Sequence, residues 1–306
     1  MRFNDSFDAP ALVADMVPTP HPGRGEMLIR VCAAGVTRTE LLWYPTTHTR
    51  GGGKRTGAIP GHEFSGVVEG VGEDLDQNHI GREVFGMNDW FADGASAEYC
   101  ISAATFVTLK PARLSHVEAA SVPIGALTAW QGLFDRAKLQ CGDRVLIHGG
   151  SGGVGVFAIQ LARRAGAHVI TTAPSRNFDF LSHLGADEMI DYRSGRFEES
   201  AHEVDVVFDT VGGETLKRSW RLLKPGGRMV TIAANSEGTR DERIENAFFI
   251  VEANPEQLTE ISQLLDAGQL QCFVDAVVPL VNASDAYCGS IRERNGRGKV
   301  VLSIAN

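Results

Sequence analysis

The segment Val145-Leu146-Ile147-His148-Gly149-Gly150-Ser151-Gly152-Gly153-Val154-Gly155 constrains this chain more than any other. An apolar run of strand length stops in glycines and restarts at once as an amphipathic helix, with apolar residues at 154, 157, 158, 161 and 162 and an end near Ala165. Gly150, Gly152 and Gly155 spell G-x-G-x-x-G. In a strand–turn–helix setting the three glycines serve different ends. One makes the tight turn, one lets backbone approach a pyrophosphate, and one lets the helix pack close to the strand. The amides of Gly152, Gly153, Val154 and Gly155 would then face an anionic group with the helix dipole behind them. No Lys-Ser or Lys-Thr pair follows, which excludes a Walker-type triphosphate loop.

The end of the next strand selects the dinucleotide. An NAD site carries an acid about 20 residues on, to bind the ribose 2′-hydroxyl. Here the chain reads Thr171-Thr172-Ala173-Pro174-Ser175-Arg176-Asn177. A hydroxyl at Ser175 and a guanidinium at Arg176 suit a 2′-phosphate, and so NADPH. The alternative is that Arg176 is a solvated first-turn residue.

Around this loop the chain changes character. Up to about Lys110 it reads as short strands broken by glycine and proline (27–32, 64–69, 97–101), a small irregular barrel or sandwich. Ser115-His116-Val117-Glu118 is a capping box opening a helical stretch through Phe134, bent at Pro123. Strands at 144–147, 168–172, 188–190, 205–208 and 228–232 then alternate with helices, the pattern of a parallel sheet with helices on both faces. Residues 248–251 read as a further apolar strand, 255–267 as a helix, and 272–280 and 299–304 as strands returning to the first part. The expected division is 1–118 with 269–306, and 119–268.

Lys and Arg number 29 against 38 Asp and Glu, a net charge of −9 with no local basic patch, so nucleic acid is an unsuitable partner; small molecules or copies of the chain remain. The five cysteines (Cys32, Cys100, Cys141, Cys272, Cys288) form no CxxC pair and read as buried free thiols. The segment Met1–Asp8 carries early acids rather than a signal-peptide core, and no run approaches the ~20 apolar residues of a membrane span. A cytoplasmic protein is expected.

Taken together, the chain resembles the medium-chain dehydrogenase/reductase superfamily, in its zinc-free quinone oxidoreductase-like branch. The residues that carry the resemblance are 33–36 (AAGV), 61–68 (GHEFSGVV), 127–130 (LTAW), the glycine turn, 184–187 with Asp191-Tyr192, 208–213 (FDTVGG), 224–227 (KPGG) and 298–301 (GKVV). The resemblance implies a GroES-like barrel plus a Rossmann domain, with substrate in the cleft between them. Zinc-dependent members would carry cysteines where this chain has Thr37 and Ile124 or its neighbour; only His62 remains of three ligands, and it reads as a hydrogen-bonded structural residue.

By position, Thr37 would contact nicotinamide or substrate, Thr39 and Tyr44 would be candidate oxyanion donors, and Thr128 would hold the nicotinamide half. Tyr192 would meet the adenosine phosphate, Ile232 and Ala233 the ribose, and Phe249 and Val251 the nicotinamide amide. Trp43, Tyr44 and Trp90 either stack on a flat substrate or pack as ordinary aromatics. Relatives of this kind pair edge strands into homodimers, here through 247–251. The implied activity is NADPH-dependent reduction of quinones or other α,β-unsaturated carbonyls without zinc. The alternatives are an alcohol/aldehyde oxidoreductase of the same superfamily, or a low-turnover NADPH-binding sensor or structural protein.

Overall fold

The computed structural model describes residues 1–4 and 11–304; Asp5 and Asp8, the early acids of the N-terminal segment, lie outside the described residues. The chain divides into two compact units. One comprises Met1–Ile124, Ala253–Asn295 and Lys299–Asn306; the other comprises Gly125–Glu252 and Gly296–Gly298.

In the first unit, β1 (Arg2–Asn4) and β2 (Ala11–Val13) pair with each other, and β3 (Glu26–Val36) organises a larger sheet. Its early residues alternate as a half-buried strand should, with Met27, Ile29 and Val31 buried. β4 (Glu63–Val71) lies antiparallel along one edge. The other edge is shared, because β6 (Tyr99–Ala103) pairs with residues 26–30 and β14 (Lys299–Ser303) with residues 33–36. β5 (Glu83–Met87) and β7 (Val107–Leu109) continue beyond β4, and β13 (Val274–Pro279) runs parallel to β14. Met27, Ile29, Val31, Phe64, Val68 and Leu302 form the centre of its core.

In the second unit, β8 (Arg144–His148), β9 (His168–Thr172), β10 (Glu188–Ile190), β11 (Val204–Asp209) and β12 (Leu223–Thr231) are all parallel, in the order β10-β9-β8-β11-β12. Val145, Leu146, Val169, Ile170, Val206 and Val207 are wholly buried, as strands covered on both faces must be. The chain winds outward from β8 to β10, then crosses back to β11, so the strand order reverses beside β8. That reversal is the switch point at which Rossmann sheets bind ligands.

Several expectations need correction. The stretch 115–134 is helical through Phe134 but is not one bent helix: the capping box opens only His116–Ala119, and a second helix starts at Pro123, runs to Trp130 and continues in wider π-helical turns over Gln131–Arg136. Proline at a helix start loses nothing, since its missing amide would be unpaired there anyway. Residues 248–251 are not a strand. Phe249 donates once to the Thr231 carbonyl (3.2 Å), and then the Gln131 side chain takes both backbone groups of Glu252 (2.9 and 3.1 Å), drawing the segment off the sheet edge. Ala247, Phe249 and Val251 are buried there.

The boundaries fall at 124/125 and 252/253 rather than 118/119 and 268/269. The helix Pro255–Asp266 lies in the first unit because it lines β7, with Thr259 and Thr108 hydroxyls 2.9 Å apart and Ser262 donating to the Leu109 carbonyl. All five cysteines are free, but Cys141 and Cys288 are exposed and Cys32 and Cys272 half-buried, leaving Cys100 as the one fully buried thiol. Among the described residues no helix is long and apolar enough to cross a membrane.

Candidate active site

The carboxyl edge of the parallel sheet collects the expected cofactor residues. After β8 the chain turns at Gly149, whose φ of +77° is the left-handed value only glycine adopts freely. A Cβ at Gly150 would lie 2.1 Å from the Thr171 hydroxyl, and one at Gly155 would lie 2.3 Å from the Gly149 carbonyl. Gly155 is glycine because helix and turn are in backbone contact there, and Gly150 because the Thr171 side chain of the neighbouring strand fills the space. The helix Gly155–Arg164 starts at Val154 with no side-chain cap; Val156 and Phe157 donate to the Gly152 and Val154 carbonyls (both 3.1 Å), and the amides of Gly153, Val154 and Gly155 are left, among the described residues, for another acceptor. Gly152 is exposed, and the turn is braced from far along the chain: Gly298 donates to the Ser151 carbonyl at 2.8 Å. Gly125 touches the Gly153 carbonyl so closely that a Cβ would stand 2.4 Å from it. Thr128, one turn further along that helix, is buried.

At the end of β9, Ser175 and Arg176 form a single turn with Asn177. Asp191, at the end of β10, accepts from the Ser175 amide (3.1 Å) and the Arg193 amide (2.9 Å). Those bonds, that of Arg193 first, hold its carboxyl below the usual range. Tyr192 beside it is exposed. A second guanidinium arrives from the other end of the sequence: Arg297 donates to the Asn177 side chain at 3.1 Å and covers the Phe180 ring. Beyond β12, Ile232 donates to the Asp209 carbonyl (3.1 Å) and Ala233 to the Thr231 hydroxyl (3.3 Å). The Asp209 carboxylate holds Gly212 (2.9 Å) and Thr231 (2.8 Å). Phe249 and Val251 follow, buried. The residues present fit a dinucleotide: a glycine cradle, an uncapped helix start and basic side chains at the next strand end.

The first unit holds a different cluster. The pair Val300–Val36 in β14 and β3 places Lys299 opposite Thr37, and Lys299 donates to the Thr37 hydroxyl at 2.9 Å. Lys299 is also ion-paired with Glu63, whose second oxygen accepts from the Ile124 amide at 2.9 Å. Glu63 is fully buried, and that burial raises its pKa although the Lys299 ammonium pulls it down. Gly35 makes room for the carboxyl group, since a Cβ there would stand 2.5 Å from Glu63 Oε1.

His62 next to it is buried with both nitrogens occupied, Nδ1 by Glu40 and Nε2 by the Ala92 carbonyl at 3.3 Å. Glu40 also accepts from the Gly61 amide at 2.7 Å. Among the described residues no group of three or more His, Cys, Asp or Glu side chains gathers as for a metal ion. Thr39 is exposed in the turn Arg38–Leu42, and Tyr44 stacks on His48 (4.4 Å between centroids). Neither hydroxyl joins the Thr37 cluster by a hydrogen bond among the described residues. Trp43 and Trp90 meet edge to face, 5.2 Å apart, and Trp90 leans on His62.

Sequence reasoning missed Gly149, Asp191, Arg297, Glu40, Glu63 and Lys299 as site neighbours. Only the Lys299–Thr37 contact had a local signal, two strand ends with polar residues beside apolar pairs, and it required the strand register.

Residues 23–112 match the family model of the alcohol dehydrogenase GroES-like domain, and residues 184–302 that of the zinc-binding dehydrogenase. A probable zinc-binding oxidoreductase, mitochondrial, of Arthroderma benhamiae is 31% identical over 322 residues, spanning 98% of this chain and 96% of that protein. A 2-methylene-furan-3-one reductase of Solanum lycopersicum is 33% identical over 257 residues, 80% of this chain and 63% of that protein. The solved quinone oxidoreductase from Coxiella burnetii has a TM-score of 0.86 at 31% identity, covering 99% of this chain and 98% of its own. A chain matched along almost its whole length by such oxidoreductases belongs to their family: it is a quinone-oxidoreductase-like member of the medium-chain dehydrogenase/reductase superfamily.

Proposed function

We propose that this oxidoreductase reduces quinones or other α,β-unsaturated carbonyls with NADPH and without a catalytic metal ion. The observation that carries the reading is the donor set around Thr37. A hydroxyl and an ammonium stand there, and the neighbouring imidazole has both nitrogens occupied. Such a set offers hydrogen bonds rather than Lewis acidity. A simple ketone or alcohol relies on strong carbonyl polarisation, whereas a conjugated acceptor spreads the arriving charge into an enolate or hydroquinone anion. The relatives named for quinone and furanone reduction support the same class of acceptor.

NADPH, when bound, supplies the hydride. Gly152, whose own amide donates to the Gly149 carbonyl at 3.0 Å, would let the cofactor's pyrophosphate approach. The amides of Gly153, Val154 and Gly155 would hold that group, Ser175, Arg176 and Tyr192 the adenosine phosphate, Ile232 and Ala233 the ribose. Thr128, Phe249 and Val251 would orient the nicotinamide half. Thr37 would donate a hydrogen bond to the acceptor oxygen as charge develops on it, and Trp43, Tyr44 and Trp90 would offer a flat wall to a planar acceptor. A cytoplasmic homodimer completes the reading, checked by light scattering and fractionation.

The decisive assay follows loss of NADPH absorbance with a panel of quinones and enones, before and after treatment with a chelator. Turnover that survives the chelator is expected. Turnover confined to alcohols with NADP, activity abolished by chelation, or tight NADPH binding with no turnover on any acceptor would each overturn the proposal.

A further inference from the structure

Thr37 differs from the other threonines of its neighbourhood in what its hydroxyl does. Thr46 donates its hydrogen to the Glu40 carbonyl at 2.6 Å, and the Thr47 hydroxyl stands among the Trp43 carbonyl (3.2 Å), the Tyr44 carbonyl (3.3 Å) and His48 Nδ1 (2.9 Å), so each has an acceptor beside it within the chain. The Thr37 hydroxyl meets Lys299 Nζ at 2.9 Å and, among the described residues, no other hydrogen-bond partner. An ammonium carries three donors and no acceptor. In that contact Thr37 can only accept, and its own hydrogen is left for something else.

We propose that Lys299 is a positioning residue for the reaction: held by Glu63, it takes the lone pair of the Thr37 hydroxyl and thereby turns that hydroxyl into a donor aimed at the acceptor's developing oxyanion. The clamp is built for permanence. Lys299 is 11% and Glu63 0% exposed in their side chains. Glu63 is fixed from its other oxygen by the Ile124 amide, and it lies over Gly35, where any side chain would displace it. The β14–β3 register sets Lys299 against Thr37. Thr37 itself is only half-buried and so stays reachable, while the charge behind it is sealed away. The buried cation adds a favourable field for a negative oxygen beyond the single hydrogen bond.

The inference rests on the proposed function for the identity of the oxyanion, and its test separates the two. The probe is 4-nitrophenolate, which resembles a hydroquinone monoanion, titrated by its absorbance against protein saturated with NADP; 4-nitroanisole is the neutral control. Thr37→Val and Lys299→Met should each weaken phenolate binding by about tenfold. The Thr37→Val/Lys299→Met pair should do no worse than either alone, because one device is removed twice. Anisole and NADPH affinities should not move. Lys299→Arg, another donor-only cation, should restore most of the binding.

Since Lys299→Met leaves a buried carboxylate without its partner, Glu63→Gln/Lys299→Met carries the same test with no charge stranded; it should match Lys299→Met in the phenolate assay. In turnover, kcat should fall with KM little changed. Unchanged phenolate affinity in the folded double variant, or losses that multiply between Thr37→Val and Lys299→Met, would overturn the proposal. Phenolate binding that depends on Lys299 in a protein that reduces no conjugated acceptor would sink the proposed function and keep the positioning role.

Discussion

An alanine at Gly155 would put a methyl carbon 2.3 Å from the Gly149 carbonyl and 2.7 Å from the Gly150 Cα. Backbone on both sides cannot yield cheaply, so Gly155→Ala should part the helix from the turn. We expect at least about tenfold weaker NADPH binding by fluorescence titration and a loss of about 1–3 kcal/mol in urea unfolding. Gly195→Ala, where nothing lies within 4 Å, is the silent control. At the neighbouring strand end, Arg176→Ala should weaken NADPH about tenfold and leave NADH unchanged if the guanidinium meets a 2′-phosphate; equal loss for both would assign Arg176 to solvent. The glycines were legible in the sequence because their spacing encodes a local backbone need. Asp191 and Arg297 were not, since their place near Ser175 and Asn177 follows from which strands lie side by side and where a distant segment returns.

Elements followed their local signals where those signals were complete. Ser115 and Glu118 cap each other's backbone as the motif requires, and Ser115→Ala should cost about 1 kcal/mol in urea unfolding. The buried runs of β8, β9 and β11 were readable from length and apolar content alone. Residues 248–251 misled because their composition suits a strand while a side chain 121 positions away in sequence claims the next backbone groups. Gln131→Leu should release that segment and remove about 1–3 kcal/mol through two orphaned backbone groups. Hydrogen exchange at residues 249–252 would rise with it; protection equal to the parent chain would show that the amide contact is incidental.

On the scale of the molecule, acid stability depends on a side chain no motif pointed to. His148 is wholly buried at the end of β8, between the Thr172 and Ser219 hydroxyls at 3.0 and 2.9 Å. Burial, with the Arg218 charge adding to it, lowers its pKa from 6.5 to about 3. The folded chain therefore keeps His148 neutral while the unfolded chain protonates it below 6.5. Its contribution to stability is whole above that pH and is lost as pH falls toward 3, by about 1.4 kcal/mol per unit. His148→Gln should flatten the pH dependence of the unfolding midpoint across this window, and an unaltered slope would count against the assignment.

The three residues Gly296–Gly298 belong to the dinucleotide-binding unit although the unit's main stretch ends at Glu252. They supply the amide that pairs with the Ser151 carbonyl and the arginine that grips Asn177. A laboratory graft that transplants only the uninterrupted stretch 125–252 into another scaffold would therefore arrive with its nucleotide grip unlatched. Swapping modules between such enzymes calls for a second, tiny splice near the carboxyl terminus, and an insertion or tag placed there would be felt in cofactor affinity.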